Sequence, residues 1–175
     1  MTTTTGSWLS TALDKKATLA ALLLGLAAIL GAWGSQLFGG LVPCELCLEQ
    51  RLAYYWGLPL IAAILVLWNR LPLTVWYVAM AVAAAIFAWG AYMGAYHAGV
   101  EWGFWPGPTA CTGLGDANLN FGDLSGEIEA VIPCDKVQFR FLGISLAGYN
   151  ALVSLAIVAL LLAAIVDQVR RYRKV

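Results

Sequence analysis

The stretch "LVPCELCLEQRLAYYWGLPLIAAILVLW", Leu41–Trp68, holds two cysteines, an arginine and an uncharged apolar run that begins at Leu52. That run is the shortest of four, beside Ala17–Val42, Leu73–Val100 and Phe141–Val166. Crossing the hydrocarbon of a bilayer as a helix takes roughly 20 apolar residues. The short run reaches that length by borrowing from the cysteine segment before it. Four crossings result, predicted over about 17–38, 44–68, 73–98 and 142–166.

Working outward, the composition agrees. Hydrophobic residues make up 61% of the chain and charged residues 11%, against roughly 25% charged in soluble domains. The first run is too long for the apolar region of a cleaved signal peptide, although Lys15 and Lys16 precede it and Ala32 and Gly34 lie near its end. Four runs with almost no polar face also argue against buried helices of a soluble protein. The expected fold is an all-α membrane protein, one integral domain over residues 1–175 built as a four-helix bundle.

Net charge is zero, but the charges are sorted. Lys15, Lys16, Arg70, Arg170, Arg171, Arg173 and Lys174 flank one set of helix ends; Glu45, Glu49, Glu101, Asp116, Asp123, Glu127, Glu129 and Asp135 gather at the other. Positive charge marks the cytoplasmic face, so both termini are expected there. No basic patch suggests nucleic acid. Loops at about 39–43 and 99–141 then face the oxidising side, with Cys44 and Cys47 bordering the first and Cys111 and Cys134 in the second. Disulfides form and persist there, and four cysteines allow three pairings.

Further features follow along the chain. Residues 1–16 read as polar and poorly ordered. Gly25, Gly31 and Gly34 read as points of close helix approach, and Gly39 and Gly40 as the end of the first helix. Pro43 suits the first turn of the second helix, and Pro59 inside it predicts a kink. "GAYMG", Gly90–Gly94, is a small-xxx-small packing motif. "EWGFWPGP", from Glu101, brings interfacial aromatics. Asp116, Asn118, Asn120 and Glu127 sit at calcium-loop positions, but Phe121 stands where that loop needs glycine, so the reading is a flexible loop.

A helix beginning near Pro43 puts Cys44, Cys47 and Arg51 on one face. A helix N-terminus favours the thiolate, the form that attacks disulfides. Arg51 adds a fixed cation. Zinc wants four ligands, and the second pair lacks CxxC spacing while His97 adds one nitrogen. A c-type haem needs histidine where Leu48 stands. Palmitoylation targets mainly cytoplasmic cysteines, and a Cys44–Cys47 bond closes too small a loop to stabilise much. Redox chemistry is the favoured reading of the first pair. Cys111 and Cys134 alone would read as a loop staple, a reading that loses ground to a disulfide relay because a reactive CxxC shares the same surface. His97, the only histidine, shares a helix face with Gly90, Met93 and Gly94 and should point into the bundle.

These residues resemble a known family. "PCELCLEQR" is similar to the P-C-x-x-C-x-x-x-R segment of the DsbB-type disulfide-bond formation proteins of bacteria. "CDKVQFRFLG", Cys134–Gly143, resembles that family's C-x-x-x-Q-aromatic-x-F-L-G segment, and "YHAG", Tyr96–Gly99, its histidine at the end of helix three. The likeness spans residues 17–166; the middle of the long loop departs from it. The resemblance implies an inner-membrane enzyme that reoxidises a periplasmic thioredoxin-fold carrier of the DsbA type and passes electrons to a quinone, ubiquinone or menaquinone. It implies that Cys111 and Cys134 form the disulfide meeting the carrier, with Cys111 taking the mixed disulfide. Cys134 then exchanges with Cys44, and Cys47 faces the quinone beside Arg51 and His97. Vitamin K epoxide reductase-like enzymes are the nearer alternative, but their CxxC lies on the last bundle helix. A four-span scaffold in the manner of tetraspanins is the other; their adjacent-cysteine patterns are missing here.

Overall fold

Away from water a backbone must satisfy its own N–H and C=O groups, and a long apolar run does so as an unbroken helix. The computed structural model, which describes residues 12–108 and 133–173, contains α1 (Ala12–Leu37), α2 (Glu45–Val66), α3 (Leu73–Glu101) and α4 (Leu146–Tyr172). A short antiparallel hairpin, β1 (Arg140–Phe141) and β2 (Ile144–Ser145), leads into α4. The calcium-loop residues and Cys111 lie outside the described residues.

Three helices, α1, α3 and α4, are long and apolar enough to cross a membrane. The remaining helix, α2, has 22 residues, about 33 Å at 1.5 Å per residue, and carries Glu45, Glu49, Gln50 and Arg51 in its first two turns. Every helix keeps large apolar side chains on its outer face, among them Leu23, Leu30, Trp56, Val78, Trp89, Leu155 and Leu162. Patches of that extent in water mark interaction with lipid or partners; on a bundle with three such helices they mark a membrane protein. Inside, Ile61, Ile64, Trp76, Met80, Phe87, Ile157 and Leu161 form the core.

The helix ends carry the local logic. Gly40 takes a left-handed φ of 64° beyond α1. Pro43 falls before the cap of α2, not inside its first turn: Cys44 is the N-cap, in extended backbone, and its sulfur accepts from the Cys47 N–H at 3.3 Å. The helix continues through Pro59. Leu142 and Gly143 have φ of 49° and 82°, the two positive values a two-residue type I′ hairpin requires. That hairpin delays α4, expected from 142, until Leu146, where the Ser145 hydroxyl accepts from the Gly148 N–H at 3.2 Å.

Close approach is concentrated on α3, which packs most extensively against α4. A Cβ at Gly90 would lie 2.8 Å from the Ala53 Cβ, and one at Gly94 only 2.7 Å from the Ala151 backbone nitrogen. The GAYMG motif is therefore a packing device. On α1, Gly25 alone has this role, against Leu58; a Cβ at Gly31 or Gly34 would meet nothing within 4 Å.

Helix α1 starts within the segment read as poorly ordered because Asp14 is buried there with a partner. Its carboxylate accepts from the Arg171 guanidinium, which also donates to Gln168. Asp14, Thr18 and Gln168 are buried, so the ends of the chain's first and last helices are clasped at one end of the bundle. Removing one member of a buried pair strands the other. Asp14→Ala is expected to cost about 2 kcal/mol, since Arg171 keeps some solvent and Asp167 nearby. A thermal midpoint in detergent equal to that of the unsubstituted protein would show the clasp contributes nothing.

Candidate functional site

At the other end of the bundle the sequence-selected residues converge. Cys44 and Cys47 are joined by a disulfide across the first turn of α2. Arg51 follows one turn later and donates from Nη1 to Gln36 Oε1 at 2.8 Å, tying α2 to α1. Cys134, immediately before the hairpin, is buried and also disulfide-bonded. Gln138 of the same segment donates to the Val42 carbonyl at 2.7 Å, which fastens the Cys134 segment to the chain entering α2. His97 is buried at the end of α3, facing inward as its Gly90, Met93 and Gly94 neighbours predict.

The Cys44 sulfur, the Cys134 sulfur and a His97 ring nitrogen all lie within 4.8 Å of one another. Cys44 Sγ is 3.7 Å from His97 Nε2, and Glu101 Oε1 lies 3.9 Å from that same nitrogen. Cys44, Leu46, Met93 and Cys134 wall the sulfurs in, with Cys47 and Tyr96 packed against them. Three donors at this spacing also resemble half a metal site. Metal ligation requires thiolates, however, and both sulfurs are held in disulfides.

A cavity of about 360 Å³ opens beside the first disulfide. Ala28, Gly31 and Ala32 of α1 supply a small-residue apolar wall, while Cys47, Arg51 and His97 face the same space. Apolar lining with a few converging polar groups is the ordinary character of a small-molecule site.

Behind the histidine runs a chain of polar side chains that the sequence reading missed. Gln50 Nε2 lies 2.6 Å from His97 Nδ1. Asn150 Nδ2 donates to Gln50 Oε1 at 2.6 Å. Tyr54 donates to Asn150 Oδ1 at 2.6 Å and meets the Ser154 hydroxyl at 3.3 Å. Gln50, Tyr54 and Ser154 are buried. The available signal was Asn150, the lone amide in the fourth apolar run, since a polar group at membrane depth leans functional. Its partners, Gln50 and Tyr54, lie on α2 about a hundred residues away in sequence, so no local spacing could reveal them.

Chemically, the arrangement suits thiol–disulfide exchange. A thiolate on Cys134 would have the Cys44 sulfur within reach, and Cys47 as leaving group sits at a helix N-terminus that stabilises negative charge. Neither the curated proteins nor the solved structures give a match. A family profile described as disulfide bond formation protein DsbB matches residues 14–164. With that match over most of its length, and Cys44, Cys47 and Cys134 gathered at one end of the bundle, the chain belongs to the DsbB family, membrane proteins of disulfide bond formation.

Proposed function

We propose that this protein crosses a bacterial inner membrane four times with both termini cytoplasmic. There it reoxidises a periplasmic thioredoxin-fold carrier of the DsbA type and delivers the two electrons to a membrane quinone, ubiquinone or menaquinone. The observation that carries the reading is the buried meeting of Cys44, Cys134 and His97 beside an apolar cavity that Cys47 and Arg51 also line. The clasp of Asp14 with Arg171 puts the basic ends of α1 and α4 together and away from the cysteines, in keeping with the sorted charges.

The steps balance. A carrier thiolate attacks Cys111 of the Cys111–Cys134 disulfide, and Cys134 leaves as a thiolate. The carrier's second thiol displaces Cys111, so the carrier departs oxidised. Cys134 attacks Cys44, breaking the Cys44–Cys47 bond and leaving Cys47 as a thiolate. Cys111 then attacks Cys134 and releases Cys44. Two disulfides have become one, with two thiols at Cys44 and Cys47. Helix dipole and Arg51 charge both favour Cys47 as the thiolate.

A bound quinone supplies the acceptor for the two electrons and two protons given up when Cys44 and Cys47 rejoin. The residues fit such a group. Small α1 side chains leave room for a flat ring, with open space over Gly31. Arg51 offers donors toward a ring oxygen, and His97 lines the same space. The driving force agrees, because a DsbA-type carrier, at about −120 mV, needs a terminal acceptor more oxidising than an ordinary protein disulfide.

The test is the absorbance of a soluble short-chain ubiquinone mixed with purified protein in detergent and a reduced DsbA-type carrier. One quinone should disappear per two carrier thiols oxidised. Quinone that stays oxidised while the carrier stays reduced would remove the reading.

A further inference from the structure

The polar chain behind His97 has a direction, and the direction decides where the imidazole proton sits. Amides can be threaded through Ser154, Tyr54, Asn150, Gln50 and His97 in two self-consistent ways. In one, every donor points toward the histidine and Gln50 Nε2 donates to Nδ1. In the other, every donor points away and Nδ1–H donates to Gln50 Oε1. The groups on the far side of the ring choose between them. Cys44 Sγ lies 3.7 Å from Nε2 and, held in a disulfide, has no proton to donate and can only accept. The Glu101 carboxylate lies 3.9 Å from Nε2, and its Oε2 is buried without a hydrogen-bond partner. A neutral ring carries one proton, and these acceptors call for it on Nε2. The Nδ1 lone pair then faces Gln50 and takes its N–H at 2.6 Å.

We propose that Gln50 and Asn150 are positioning residues that fix the His97 proton on Nε2, so that the ring presents an N–H toward the Cys44 and Cys134 sulfurs. Asn150 sets Gln50, since its Nδ2 occupies Gln50 Oε1 at 2.6 Å and leaves only the amide N–H to face His97. Tyr54 sets Asn150 by donating to Oδ1 at 2.6 Å. The functional consequence rests on the exchange pathway proposed above. There Cys134 and Cys44 each leave as a thiolate, and a ring N–H 3.7 Å from Cys44 Sγ stabilises that charge. The opposite tautomer would turn a lone pair toward the same sulfurs and repel it.

His97 is the only histidine in the chain, so ring-¹⁵N-histidine labelling of tag-free protein in detergent gives one pair of nitrogen signals. In the unsubstituted protein Nε2 should be protonated and Nδ1 bare. Asn150→Asp replaces the donor by a carboxylate that only accepts. Gln50 must then give its N–H to residue 150 and turn its oxygen to the ring, so Nδ1 should gain a proton, although residue 150 does not touch the ring. Gln50→Glu places an acceptor on Nδ1 directly and should do the same. A protonated Nδ1 in the unsubstituted protein, or a bare Nδ1 in both variants, overturns the proposal; packing alone would leave the signals in place.

The second readout is the rate at which the Cys47 thiol becomes alkylatable after mixing with a reduced DsbA-type carrier, without quinone. Gln50→Leu should slow it about tenfold, the worth of roughly one hydrogen bond to a charged group. It should add nothing in a His97→Ala background, because its effect runs through the ring. Equal slowing in both backgrounds overturns the positioning role. If no Cys47 thiol appears even in the unsubstituted protein, the exchange pathway fails, while the nitrogen signals still decide the proton's place.

Discussion

Cys47→Ser should abolish quinone-linked oxidation of the carrier, a loss of about a thousandfold or more, as when a nucleophile is removed from a unit that acts together. A serine hydroxyl is not ionised near neutral pH and cannot close a disulfide with Cys44, so no two-electron donor remains at the cavity. The fold should survive. The bond between Cys44 and Cys47 spans a separation of three residues, and a loop that small stabilises little; the thermal midpoint should stay close to that of the unsubstituted protein. The cysteines should nonetheless redistribute. Without Cys47, Cys44 keeps a thiol within 4.8 Å of the Cys134 sulfur, at a helix N-cap. Its thiolate can attack Cys134 and expel Cys111 as a thiolate, and with Cys47 absent only Cys111 can reverse the exchange. Peptide mapping without reduction should therefore recover a Cys44–Cys134 cross-link in the inactive variant. Retained turnover would mean that Cys47 does not donate the electrons. An inactive variant with unpaired Cys44 would mean that Cys111 keeps its bond to Cys134 against attack by Cys44.

How much of this was legible in the sequence depends on how far each feature reaches along the chain. Helices announce themselves through uninterrupted apolar length, so all four were visible. The placement of Cys44, Cys47 and Arg51 follows from three- and four-residue spacing within one helix. His97 was visible as a lone titratable group whose helix face also holds Gly90 and Gly94. Features made by two distant segments were not. Asp14 looked like part of a polar tail until Arg171 supplied its partner from the far end of the chain. Nothing local tied Gln50 or Asn150 to the site until packing of α2, α3 and α4 set Gln50 against His97 and Asn150 against Gln50. The hairpin was hidden for another reason. Its turn places Leu142, a residue that rarely adopts positive φ, beside Gly143, so only half of the usual turn signal is written in the residues.

The same long-range packing gives the second large effect. Gly94→Leu should lower stability by about 3 kcal/mol, at the upper end of overpacking costs, with a thermal midpoint about 5 °C or more lower in detergent. Even a Cβ at Gly94 would lie 2.7 Å from the Ala151 nitrogen, 3.0 Å from its Cα and 3.1 Å from the Ala147 carbonyl oxygen. Those are backbone atoms in the first turns of α4 and cannot rotate aside as a side chain would. The helices must separate, and they separate beside the site: Asn150 precedes Ala151, and His97 lies one turn beyond Gly94 on α3. The hydrogen bond from Asn150 to Gln50 and that from Gln50 to His97 span this gap at 2.6 Å each, and a shift of even 1 Å breaks them. Exchange between Cys134 and Cys44 should slow even at temperatures where the variant remains folded. Gly34→Ala is the matched control, because a Cβ there meets nothing within 4 Å. A stable, fully active Gly94→Leu would show that the α3–α4 contact tolerates a wedge, and that the polar chain does not depend on the separation of these two helices.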